Sequence, residues 1–384
     1  MRRGNGADGM ISFFCYGTLR HLPLLKIVLG RDLGTLDMAD AVLPDHAVYW
    51  AKDQTFPMIV AQAGAQAQGL LIRGLSDEDV ARLDFYESGF DYDLSPVHVL
   101  PEGGDAEPAQ VFFPDVSLWE PGAPWSLSAW EKGCGPLATT AAVEVMDYFG
   151  VKSDDAIGHM FPMIQARAAA RLNAAKGTPV SPSGLSRTDV RISEHRRAYA
   201  DFFALDEYDL SFRRFDGSET GNVKRAVFMG GDAAIVLPYD PVRDVVLLVE
   251  QMRMGPLGRG DRDVWQLEPV AGRLDAGETP QETAYRETLE EAGIELQALE
   301  SVADCYPSPG ASSEFFYIYI GLADLPEKTT GTGGLDSENE DIRVHLVGFE
   351  ALMAMLERGE IRNAPLALAA LWLARHRDRL RNTA

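Results

Sequence analysis

The sequence predicts two domains, the first α+β and the second a layered α/β, joined through a helical segment, and three observations carry that expectation. The chain has 384 residues, more than one core usually serves. Strand-like and helix-like stretches are mixed in both halves, which suits layered packing of sheets and helices. Between the halves, TPVSPSGLSRTD has the Pro, Ser and Gly content of a linker. The expected organisation is a first domain over residues 10–150, a helical segment and linker over 151–190, and a second domain over 191–384.

The elements follow in chain order. MISFFCYGTL opens the first domain as a strand, and AVYW, GLLIRGL and AQVFFP continue it. SDEDVARLDFYE reads as a helix, with Ser76 as cap and Asp77 to Asp79 at its positive end. GPLATTAAVEVMDYFG and the Ala-rich IQARAAARLNAAKG are helical, with Gly177 as a stop. The second domain offers strands at AAIVLPYD, DVVLLVEQMR and FFYIYIGL. Helices fit TPQETAYRETLEEAG, FEALMAMLERG and PLALAALWLARHRDRL.

Composition narrows the partners. The net charge is −23, and an acidic surface repels phosphate backbones and anionic lipid. Neither nucleic acid nor membrane is therefore an expected partner. Cys15, Cys134 and Cys305 are sparse and odd in number, which argues against a disulfide framework. MRRGNGADGM leads into no apolar core, and APLALAALWLA is too short to span a bilayer. The expected location is cytoplasmic.

The chemistry concentrates in GRLDAGETPQETAYRETLEEAGI, Gly272 to Ile294. Thr279 can cap a helix there, with Pro280 in its first position. Glu287, Glu290 and Glu291 then share one helix face, since residues three and four apart are neighbours. Carboxylates held together repel each other unless a cation neutralises them, and hard divalent ions such as Mg²⁺ or Mn²⁺ prefer oxygen ligands. A solvated acidic face is the ordinary alternative for an isolated Glu-Glu pair.

The spacing resembles the Nudix box, G-x5-E-x7-R-E-U-x-E-E-x-G-U, where U is a bulky aliphatic residue. Gly272, Glu278, Arg286, Glu287, Glu290, Glu291, Gly293 and Ile294 match it, and Thr288 departs from the apolar residue usual there. The resemblance implies an α/β/α sandwich and Mg²⁺-dependent cleavage of a nucleoside diphosphate linked to another group, with Mn²⁺ a possible substitute. It makes Glu287 and Glu291 the main metal ligands, with Glu290 close by and the Ala271 carbonyl as a further one. Arg286 and Glu278 are expected to orient the helix. Pro309, sixteen residues beyond Gly293, together with SPGASSE, SENEDIRVHLV and GEIRNAPLALAALWLARH, resembles the bacterial ADP-ribose pyrophosphatases. That subgroup implies Glu338 as general base with Glu340 beside it, Arg253 and Glu314 toward the substrate, and a homodimer. GDP-mannose-cleaving relatives remain the alternative, and a non-catalytic nucleotide-sugar sensor is a further one, disfavoured by the intact glutamates.

In the first half, FFCYGTLR and LDFYESGF resemble the γ-glutamylcyclotransferase-like, or AIG2-like, family. The resemblance implies a mixed barrel with helices. It maps Tyr16, Gly17, Thr18 and Leu19 to a loop whose N–H groups meet the substrate, and Glu87 to the acid/base. Ser88-Gly89 departs from the small pair that usually follows that Glu. The substrate of this half stays open.

Overall fold

The structure is a computed structural model that describes residues 11–88, 92–115, 117–178, 181–327, 332–333 and 341–382. The chain divides into two compact units, Met1–Ala168 and Ala169–Ala384. The border falls inside a helix, where the sequence reading has a segment of its own.

The first unit runs β1 (Ile11–Cys15), α1 (Leu22–Leu29), β2 (Asp37–Ala51), β3 (Pro57–Leu75), α2 (Asp77–Ser88), β4 (Tyr92–Pro101), β5 (Glu107–Pro114), β6 (Pro121–Pro124), α3 (Leu127–Gly133), α4 (Gly135–Asp147) and α5 (Asp154–Lys176), the last crossing the border. Its strands pair in the order β3-β1-β5-β4-β2, and β2 pairs back onto β3. Five strands thus close a barrel, which leaves few open edges. The barrel is mixed, because β1 runs antiparallel to β3 and parallel to β5. Phe14, Ile59, Leu71, Val99 and Val111 fill it. At the start of α2, Ser76 Oγ accepts from Asp79 N–H at 3.2 Å, and the Asp79 carboxylate accepts from Ser76 N–H at 2.8 Å. This reciprocal cap fixes the helix that carries Glu87.

The second unit begins with three antiparallel strands, β7 (Val190–Ala200), β8 (Ala204–Phe212) and β9 (Val223–Met229). A larger sheet follows, built from β10 (Asp232–Asp240), β11 (Val245–Met252), β12 (Trp265–Glu268), β13 (Val270–Arg273), β14 (Ala298–Cys305), β15 (Phe315–Leu322), β16 (Thr332–Gly333) and β17 (Ile342–Gly348). The helices are α6 (Met254–Arg259), α7 (Pro280–Ala292), α8 (Phe349–Glu357) and α9 (Ala364–Asn382). The sheet order is β14-β15-β10-β11-β17-β16, with β12 on β11 and β13 on β10. Alternation along the central strands feeds two cores. Ile235, Leu237, Val246 and Leu248 pack with Leu352 of α8 and with Leu366 and Leu373 of α9. Ala234, Val236, Leu247 and Val249 pack with Ala284 of α7 on the opposite face. The result is an α/β/α sandwich, with the acidic helix on one layer. Among the described residues no helix is long and apolar enough to cross a membrane.

Candidate active site

In the second unit the site is assembled where α7 lies on β13. Thr279 caps α7 in a reciprocal box: Glu282 N–H donates to Thr279 Oγ1 at 3.2 Å, and the Glu282 carboxylate accepts from Thr279 N–H at 2.8 Å. Gly293 ends it in the left-handed conformation, φ 66°, with its N–H on the Leu289 carbonyl at 2.9 Å. Thr288, the departure from the expected apolar residue, is fully buried, and its hydroxyl donates to the Ala284 carbonyl at 2.7 Å. The extra polar atom is thus satisfied within the helix.

Arg286 organises the acidic cluster. Its Nε donates to Glu278 Oε1 at 2.8 Å and one terminal nitrogen to Glu278 Oε2 at 2.9 Å. The other terminal nitrogen reaches Glu287 Oε1 at 2.8 Å and Glu290 Oε2 at 2.9 Å. Glu278 also accepts from Thr283 Oγ1 at 2.8 Å and from Asp275 N–H at 3.2 Å. Chiefly through the Arg286 hydrogen bonds, its carboxyl is held at about 2, well below the ordinary range. Glu291 is buried, and its Oε2 accepts from Ala271 N–H at 3.2 Å, which ties the helix face to β13. Gly272 permits the close approach: a Cβ there would lie 1.8 Å from Glu287 Cδ.

A single guanidinium therefore serves Glu278, Glu287 and Glu290, with Asp275 at 3.9 Å and Glu291 beside them. The cluster keeps a surplus of negative charge, and every side-chain donor in it that could ligate is a carboxylate oxygen. That donor set fits a hard divalent cation. Among the described residues no three His, Cys, Asp or Glu side chains stand ready as a metal cage.

Other expected residues lie apart. Arg253, at the end of β11, is in an ion pair with Glu268 at 2.7 Å, and Glu268 also accepts from Asn363 Nδ2 at 2.9 Å. Pro309 is exposed in the turn before β15, and Glu314 accepts from Ser312 Oγ at 3.3 Å at the foot of that strand. Among the described residues these three share no hydrogen bond or ion pair with the cluster. Glu338 and Glu340 lie outside the described residues. The sequence reading missed Phe202 at the β7–β8 turn, whose ring is 4.7 Å from the guanidinium of Arg273 next to Gly272. DFFALDEY carried the signal as two adjacent aromatics, but nothing local tied them to a site 70 residues on.

In the first unit Tyr16 to Leu19 leave the end of β1, with Tyr16 and Leu19 buried and a 3₁₀ turn over Thr18–Arg20. The first N–H groups of such a turn have no partner within it. Glu87, near the end of α2, is half-buried, and loss of water pushes its carboxyl up to about 7. Burial pushes the Cys15 thiol up to about 12, with the Glu87 charge adding to that and the Arg20 charge opposing it.

Comparison with known proteins agrees with this division. Residues 229–369 match the NUDIX domain model, and residues 13–131 match the model for gamma-glutamyl cyclotransferase, AIG2-like. An ADP-ribose pyrophosphatase of Escherichia coli (strain K12) is 40% identical over 203 residues, which are 52% of this chain and 95% of that protein. A GDP-mannose pyrophosphatase of Cronobacter sakazakii is 32% identical over 167 residues, 44% of this chain and 85% of that protein. A solved structure of an ADP compounds hydrolase aligns over 52% of this chain and all of its own, with a TM-score of 0.40 and 21% identity.

Proposed function

We propose, for a chain that belongs to the Nudix hydrolase family, that its second unit hydrolyses ADP-ribose to AMP and ribose 5-phosphate with Mg²⁺. The observation that carries this reading is the face of Glu287, Glu290 and Glu291, anchored by Arg286 and set against β13 where Gly272 leaves room. The substrate choice is supported by similarity to an ADP-ribose pyrophosphatase along 95% of that relative's length. The weaker similarity to a GDP-mannose pyrophosphatase makes GDP-sugars the second reading.

The chemistry can be followed through the chain's own residues. A diphosphate is anionic and so is this helix face, so the two meet only with intervening positive charge. When bound, Mg²⁺ or Mn²⁺ supplies that charge, eases deprotonation of water and stabilises the leaving phosphate. Glu287 and Glu291 would hold the ion, with Glu290 and the Ala271 carbonyl as the further oxygen donors the family resemblance names. Glu278 and Arg286 keep α7 at the correct angle to β13. Arg253, whose side chain is 38% exposed beside Glu268, offers a guanidinium fork to a phosphate. Pro309 and Glu314 border the substrate from the loop before β15, and Phe202 presents a ring face suited to a purine. By the resemblance, Glu338 takes the proton from water, with Glu340 as its helper. The water oxygen attacks phosphorus, a bridging P–O bond breaks, and each product leaves with one phosphate.

Chromatography of the full chain with ADP-ribose and Mg²⁺ tests this. Wild type should release AMP, and Glu291→Gln should release it at least about 100-fold more slowly, the scale of losing a central electrostatic group. Intact ADP-ribose with wild type would overturn the substrate assignment, and GDP-mannose in the same assay would then decide for the second reading. An intact pool of both would favour the sensor. For the first unit we propose a cleft formed by the Tyr16–Leu19 loop and Glu87 that receives a γ-glutamyl-type compound, with Glu87 taking the proton of its amine.

A further inference from the structure

We propose that the second unit holds a further binding site, for a small organic ammonium ion, in a cavity between the last turn of α5, the first turn of α7 and strands β14 and β15. The site is separate from the metal face. Pro280 lines the cavity, and Glu287 lies two turns further along the same helix, about 10 Å away. The inference therefore stands whichever nucleotide the metal face cleaves.

The cavity measures about 390 Å³, room for a small ligand. Two cross-strand pairs form its floor, Ser301 beside Tyr319 and Asp304 beside Tyr317. In a regular strand, residues three apart point to opposite faces. A bulge between Ser301 and Ala303 shifts the register by one residue, so both pairs face the same side, toward α7. Asp304 is exposed there and, among the described residues, makes neither a hydrogen bond nor an ion pair. Lys176, which also lines the cavity, donates to Asn173 Oδ1 at 3.3 Å rather than to Asp304. Asn173 in turn donates its Nδ2 to the buried Asp232 carboxylate at 3.0 Å, with the Tyr317 hydroxyl as a further donor. The polar groups behind the floor thus satisfy one another, and Asp304 is left without a counter-charge.

The chemistry of the occupant follows from these groups. Asp304 and Asp232 repel an anion. The first turn of α7 offers an anion no seat either, because the Glu282 carboxylate already closes the Thr279 box. Tyr317 and Tyr319 supply rings whose faces carry negative partial charge. Burial pushes both hydroxyls up to about 12, so neither becomes an anion near neutral pH. A carboxylate beside two such rings suits a cation, and the ring carbons with Pro280 suit a short apolar stem. A divalent metal ion would want more oxygen ligands than Asp304 can give, and a neutral polyol would leave its charge unmet.

Ligand-observed NMR titration of the full chain tests the site with n-butylammonium, 1-butanol and butyrate, equal in length and different in charge. Excess Mg²⁺ neutralises the metal face, and salt at about 0.15 M screens the general acidity of the surface. Wild type should bind butylammonium at least about tenfold more tightly than either other compound, in line with a charge-assisted hydrogen bond. Asp304→Asn should lose that preference at unchanged melting temperature, and Asp304→Glu should keep part of it. Glu357→Gln, which removes an exposed carboxylate on α8, should keep all of it. Equal losses in Asp304→Asn and Glu357→Gln would overturn the site in favour of a diffuse acidic surface. Butanol bound as tightly as butylammonium would overturn the cation, and no saturable binding of butylammonium would overturn the proposal as a whole.

Discussion

Glu87 illustrates how surroundings set the chemistry of a single residue. In the folded chain its carboxyl titrates near 7, against an ordinary value of 4.5. Between those values the native state holds more protons than the unfolded chain, so this group's contribution to stability falls as pH rises from about 4.5 to about 7 and is flat outside that window. Glu87→Gln removes the titration. The difference in melting temperature, wild type minus variant, should decline across that window when both are unfolded thermally from pH 4 to 8. A constant difference would mean that the carboxyl is not desolvated. The sequence supports Glu87 as an acid/base candidate only through its LDFYE context, since its burial and its closeness to Cys15 depend on how α2 returns to β1.

Between elements, the packing of α7 on β13 turns an acidic helix into a site. A Cβ at position 272 would meet Glu287 Cδ at 1.8 Å and Cγ at 2.3 Å. Gly272→Ala should therefore displace Glu287 while sparing the caps at Thr279 and Gly293. AMP release from ADP-ribose should drop by roughly 10- to 100-fold, the cost of misplacing a reacting group by about an ångström, with little change in melting temperature. Undiminished turnover in that variant would show that Glu287 does not need its position. Helix α7 was legible beforehand because its signals are local: a capping box, a first-position proline, a terminal glycine and carboxylates at helical spacing. Strand β13 was not, because Val270–Arg273 is four residues long and pairs with Ala233–Val236, more than thirty positions away. The arms β2 and β3 were read only in part for a related reason. AQAGAQAQG, residues 61–69, has little strand propensity, and its antiparallel pairing with Ala41 to His46 across the hairpin is what holds those residues extended.

For the whole molecule, the sandwich and the barrel were legible as classes, since alternating apolar strands between amphipathic helices admit few layered solutions. The three-stranded sheet of β7, β8 and β9 was not, because VRISEHRRAYA is largely polar and exposed. Tyr199 at the end of β7 is 57% exposed and Phe203 in the turn after it 39%, an apolar surface that the homodimer implied by the resemblance would cover. Light scattering of the purified chain should give twice the chain mass, and Phe203→Glu should shift it toward the monomer; a monomeric wild type would rule the dimer out. By itself the sequence determined the acidic helix, its ends, the order of its carboxylates and the presence of two unlike domains. These depend on neighbours within a few residues, where backbone geometry leaves little choice. Only the tertiary structure decided that Glu291 bonds to Ala271 and that Arg253 pairs with Glu268. Those facts depend on strand pairings and burial between distant residues, which no short window of sequence specifies.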